Sequence, residues 1–128
     1  MTVTSVSTLI LNLDVENIKF ELQLKKHLAP MIVNSIQKVL PRNDMIRIIL
    51  PNVFSISLQI DVGMIKTKNH FQKCDIAYNS LNNSIYFFMD DVTLTKKITL
   101  IGKIISNCTK ILDVKDMDKF QLYESSAV

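Results

Sequence analysis

Residues 8–15 alternate: Leu9, Leu11, Leu13 and Val15 fall on one side, Ile10, Asn12 and Asp14 on the other. Residues 18–24 repeat the pattern more cleanly, with Ile18, Phe20, Leu22 and Leu24 set against Lys19, Glu21 and Gln23. Successive side chains of a strand point to opposite faces, so these two runs, joined at Glu16-Asn17, predict an antiparallel hairpin with one wet face. The period then changes. In LAPMIVNSIQKVLP, Ile32, Val33, Ile36, Val39 and Leu40 recur every three or four residues, while Asn34, Gln37 and Lys38 fall opposite. That spacing predicts an amphipathic helix from Pro30 to Leu40 with one apolar stripe. Pro30 suits a first turn, where its missing N–H is not needed. Pro41 stops the helix, because it lacks a donor and disfavours helical backbone at the residue before it.

Beyond the helix the pattern predicts strands over residues 45–50, 53–60, 64–66, 75–78, 84–89 and 98–105, then a short helical turn over 107–112 and a closing strand over 119–123. Phe54, Ile56, Leu58 and Ile60 share one face of the second of these, and Asp61-Val62-Gly63 and residues 79–83 supply turn chemistry. No internal repeat, linker or low-complexity segment interrupts the chain. Many antiparallel strands with one substantial helix predict a single domain over residues 1–128, its core about 9–123. The architecture expected is a mostly β, closed barrel, with the amphipathic helix capping one end and a second short helix near the C-terminus. The stretch from Ser84 to Met89 stands out, because Ile85, Phe87 and Met89 make one face apolar and Tyr86 and Phe88 the other. A surface strand needs only one such face, so this stretch is expected to mediate self-association.

Composition narrows the class without naming an activity. The chain has 128 residues, 48% hydrophobic and 21% charged, enough to bury about two thirds of its unfolded surface and too apolar for disorder. Its net charge of +3 carries only two arginines, Arg42 and Arg47, so no nucleic-acid partner is expected. The segment KTKNHFQK gathers Lys66, Lys68, His70, Phe71 and Lys73 without an acid. It reads as a solvated loop, with an anion or single-strand surface as the alternative. Cys74 and Cys108 have no CxxC or histidine context, so two buried free thiols and no metal site are expected. Asp113, Asp116 and Asp118 lack the spacing and glycine of a calcium loop. With Gly63 and Gly102 its sole glycines, the chain has no phosphate-cradling loop, and no cofactor is expected. The first residues lack a basic leader and no run reaches the roughly 18 apolar residues of a membrane span, so no membrane partner and a cytoplasmic setting are expected.

Three stretches, in order, resemble a known family. LAPMIVNSIQKVLP resembles the first helix of cyclophilins and their relatives. CDIAYNSLNNSIYFFMDD resembles the Gly-Asp-Ile-x-Tyr segment and following strand of a short bacterial and archaeal cyclophilin-like family, and ITLIGKIISNCTKILDVKDMDKFQLYE resembles the strand, short helix and closing strand shared by both groups. The resemblance spans about residues 9–123 and implies a cyclophilin-like barrel. The chain departs from the short family where Cys74 replaces a glycine and where residues 79–83 replace a proline-containing turn.

True cyclophilins isomerise X-Pro bonds, which requires a guanidinium at the prolyl nitrogen and an apolar grip on the ring. IRIILPNVF resembles the segment carrying that arginine, which makes Arg47 the one catalytic candidate, but an extra residue stands between it and Pro51. The outward positions of the next strand, Ser55, Ser57 and Gln59, offer no apolar floor. The reading favoured is therefore a non-catalytic module binding a peptide or small ligand at a cleft rimmed by Arg47, Phe54, Tyr78, Phe87 and Phe88. A weak prolyl isomerase and a homo-oligomeric structural component are the alternatives.

Overall fold

The computed structural model describes residues 8–125. The reading of the first residues as lacking a leader lies partly outside that range. Ten strands, two helices and their turns make a nearly closed antiparallel barrel. The hairpin of β1 (Thr8–Val15) and β2 (Ile18–Lys25) pairs in the register the alternation requires, with Leu9 opposite Leu24 and Leu13 opposite Phe20. Helix α1 (Pro30–Lys38) follows, with Pro30 in its first turn. Then come β3 (Arg42–Met45), β4 (Arg47–Leu50), β5 (Val53–Ser57), β6 (Lys68–Phe71), β7 (Asp75–Asn79), β8 (Ser84–Phe88), the fifteen-residue β9 (Val92–Ser106), a 3-10 helix (Cys108–Asp113) and β10 (Lys119–Glu124).

The sheet runs β3-β10-β1-β2-β9-β7-β8-β5-β4, with β6 added beside β9. Its two end strands are consecutive in the chain, separated by the wholly buried Ile46. The predicted strand over 45–50 is thus two strands meeting at the barrel seam. Side chains and turns bridge that seam. Arg42 Nε donates to the Ser57 carbonyl at 3.0 Å, Ile46 N to Asp118 O at 2.8 Å and Ile48 N to Asp116 Oδ1 at 2.9 Å. Of the acids of the 113–118 turn, Asp116 serves closure, since its carboxylate occupies a donor on the free edge of β4.

Inside the barrel, Leu11, Leu13, Phe20, Leu22, Phe54, Ile56, Ile76 and Phe87 meet Ile32, Val33 and Ile36 of α1, all buried. The helix stripe therefore covers the barrel interior as its periodicity required. Gly102 is fixed by packing: a Cβ there would sit 2.9 Å from Leu24 Cα, where β9 crosses β2.

A second, smaller core lies on the outside of the sheet. Val53, Ala77, Tyr86 and Phe88 point outward from β5, β7 and β8, and Phe71, Leu94 and Ile98 cover them. The cover is made by β6 and the first half of β9, which pair with each other while the second half of β9 pairs with β7 and β2. This corrects two expectations. The strand from Ser84 to Met89 is two-sided because the chain folds back on it, and every residue in it is buried, so it offers no surface for self-association. Residues 68–71 form a strand where a loop was expected, and Phe71 is buried, so its ring cannot stack on a base.

The expected strand over 64–66 is absent. Side chains hold this segment instead: Thr99 Oγ1 donates to Ile65 O at 2.7 Å and accepts from Ile65 N at 3.0 Å, and the Tyr78 hydroxyl donates to Val62 O at 3.3 Å.

Cys74 and Cys108 form a disulfide, which corrects the reading of two free thiols. They are 34 residues apart in sequence but 6.0 Å apart at Cα, within bridging range. The register of β9 brings them together, since Ile104 N donates to Cys74 O at 2.8 Å and places Cys74 one turn from the 3-10 helix. Cys74 has φ 73°, a left-handed backbone that favours glycine, which gives a physical reason for glycine at the matching place of the resembled family.

Candidate functional site

The outer face of the sheet carries the site. Antiparallel register sets Arg47 opposite Ser55, Ser55 opposite Tyr86 and Tyr86 opposite Ala77, one row running across four strands. Beside this row opens a cleft of about 350 Å³. Tyr86 and Asn79 form its floor.

Two register defects build the walls. Between β4 and β5, Ile48 faces Phe54 and Leu50 faces Val53, so Ile49 is an extra residue on β4. The offset that the sequence places between Arg47 and Pro51 is absorbed there as a bulge, and Ile49 and Leu50 make one wall. Between β6 and β9, Lys68 faces Ile98 while His70 faces Thr93, so extra residues on β9 swell outward. Leu94, Thr95 and Lys96 of that swelling, with Ile98, make the other wall.

Polar order on the floor is tight. Asn79 Oδ1 accepts from Leu81 N at 2.9 Å, which fixes its amide so that Nδ2 donates to the Tyr86 hydroxyl at 3.0 Å. Asn82 Nδ2 donates to the same oxygen, also at 3.0 Å. Thr93 Oγ1 on the rim is bonded to His70 Nδ1 at 3.0 Å. No carboxylate lines the cleft, and among the described residues no group of three or more His, Cys, Asp and Glu is placed to hold a metal.

Of the site residues expected from sequence, Arg47 alone is exposed. It stands on the same face as Tyr86, about 10 Å away at backbone level given the strand spacing, and does not line the cleft. The aromatic rim is corrected. Phe54 and Phe87 are buried in the barrel core, stacked with ring centroids 4.7 Å apart, and Tyr78 is buried there too, its hydroxyl spent on Val62. Phe88 is buried in the outer core against Phe71. In place of those four the structure puts Tyr86, Asn79 and Asn82. One signal for them was present in the sequence: a tyrosine on an otherwise apolar face needs a partner for its hydroxyl, and the asparagine-rich turn just upstream supplies two.

No protein-family model matches the chain, and no curated protein matches it. Among solved structures it is similar to the hypothetical protein AF2241 from Archaeoglobus fulgidus, with TM-score 0.77 and 19% identity, over 93% of this chain and 96% of that one. It is also similar to McbB, solved in complex with tryptophan, with TM-score 0.78 and 9% identity over 92% of this chain. The match covers 45% of McbB, so this chain spans less than half of that protein's length. At these identities the likeness is one of fold. No helix among the described residues is long and apolar enough to cross a membrane.

Proposed function

We propose that this protein is a cyclophilin-like barrel acting as a non-catalytic binding module, which takes a small ligand or short peptide in the cleft over Tyr86. The observation that carries the reading is the cleft itself: a preformed concavity with apolar walls and a few convergent polar groups, at the small end of the volumes that hold ligands. The three family-like stretches and the helix-capped barrel support the cyclophilin-like assignment. McbB, 45% of which shares the fold, was solved in complex with tryptophan, which is in keeping with a ligand-binding reading.

Prolyl isomerisation is the weaker reading. Ile49 and Leu50 do supply the apolar surface that the outward serines of β5 lack. Arg47, however, stands outside the cleft, so the guanidinium and the apolar grip are not assembled around one bond. The paired cysteines weigh against the cytoplasmic setting expected from sequence, because reducing compartments keep thiols free.

A coupled-protease assay on an X-Pro peptide, run beside an amide-resolved NMR screen of small aromatic and aliphatic compounds, tests the assignment. No acceleration of isomerisation, with shifts confined to Asn79, Tyr86 and residues 94–98, is the expected result. Acceleration abolished by Arg47→Ala would replace the module with the enzyme.

A further inference from the structure

The floor of the cleft presents a hydrogen-bond donor, and no carboxylate lines the cleft. The Tyr86 oxygen receives hydrogen bonds from Asn79 Nδ2 and Asn82 Nδ2, which occupy its lone pairs, while its own proton has no acceptor among the described residues. A phenol so clamped can act toward a ligand only as a donor. The rim adds the Thr95 hydroxyl and the Lys96 ammonium, and no acidic side chain opposes them. The walls, by contrast, are apolar: Ile49, Leu50, Leu94 and Ile98.

Resting on the reading of this cleft as a ligand site, we propose that it selects a carboxylate carried on an apolar body, with the Tyr86 hydroxyl and Lys96 on the carboxylate and the aliphatic walls on the body. A carboxylate accepts from both donors at once, and such charge-assisted bonds are the stronger kind. A ligand offering only donors would leave the Tyr86 proton unpaired, and a ligand with no apolar part would leave the walls wet. A free acid and the C-terminal carboxylate of a peptide share this chemistry.

The test is an amide-resolved NMR titration with 3-phenylpropionate and with its neutral amide, repeated with a short peptide ending in phenylalanine as free acid and as C-terminal amide. The acid forms are expected to bind about tenfold more tightly than the amides, the worth of one good polar contact, with shifts at Tyr86, Thr95 and Lys96. Tighter binding by the free acid of 3-phenylpropionate identifies a small molecule as the source, and tighter binding by the peptide acid identifies a chain terminus. Either supports the proposal. Tyr86→Phe and, as a surface change that leaves the fold untouched, Lys96→Ala should each reduce that preference while binding of the amides persists. Acid and amide forms binding equally at the cleft would overturn carboxylate selection and leave the binding module standing. Shifts from neither form at the cleft would overturn both.

Discussion

Phe71 lies flat on Phe88, ring centroids 4.4 Å apart and planes 10° from parallel, so the outward ring of a central strand is sealed by the chain's own β6. That contact removes the reason to expect a partner there. Phe88→Ala should cost about 3–5 kcal/mol in chemical denaturation, the usual loss for a buried phenylalanine, and the cost should not vary with protein concentration. A concentration-dependent midpoint would return the strand to an interface.

The Cys74–Cys108 bond closes a loop with a sequence separation of 34. By loop-closure entropy such a bond contributes about 3–4 kcal/mol. Replacing both cysteines by alanine should lower the unfolding free energy by that amount, and a reducing agent should lower it in the parent protein but not in the variant. Equal stability with and without reductant would mean that the thiols are free in solution.

Ile36 sits at the centre of the α1 stripe and is fully buried against the barrel interior. Ile36→Ala should destabilise by about 2–5 kcal/mol through the transfer and cavity terms. A change near zero in the unfolding free energy would mean that the helix does not plug the barrel.

Tyr123 donates to Asp14 Oδ2 at 3.0 Å, and its pKa is raised above the ordinary tyrosine value, first by that hydrogen bond, then by burial and by the carboxylate's charge. A tyrosine whose folded pKa exceeds the unfolded one contributes stability that is complete below the unfolded value. That contribution is lost as pH rises through the folded value. The loss therefore falls on the alkaline side, above about pH 10. Asp14→Asn should bring the Tyr123 titration, followed by carbon-detected NMR, down toward its ordinary value. An unchanged midpoint would show that Asp14 does not hold the proton.

By itself the sequence determined the parts whose side chains report their own surroundings. In β1 and β2 a clean period of two marks strands with one buried side, and Ile32, Val33 and Ile36 mark a helix with one buried stripe. Each of these elements buries one face against a single core, so burial is written directly into the local period. The tertiary structure decided the rest. Residues 68–71 and 92–97 are a mostly polar pair of strands that cover the outer face through Phe71 and Leu94, too few apolar positions to show a period. The disulfide depends on the register of β9 against β7, which sequence spacing does not encode. The cleft depends on two bulges, and a bulge is a fault in alternation: it moves Ile49 and Leu94 out of the pattern that would place them, and only the paired strand shows where they go.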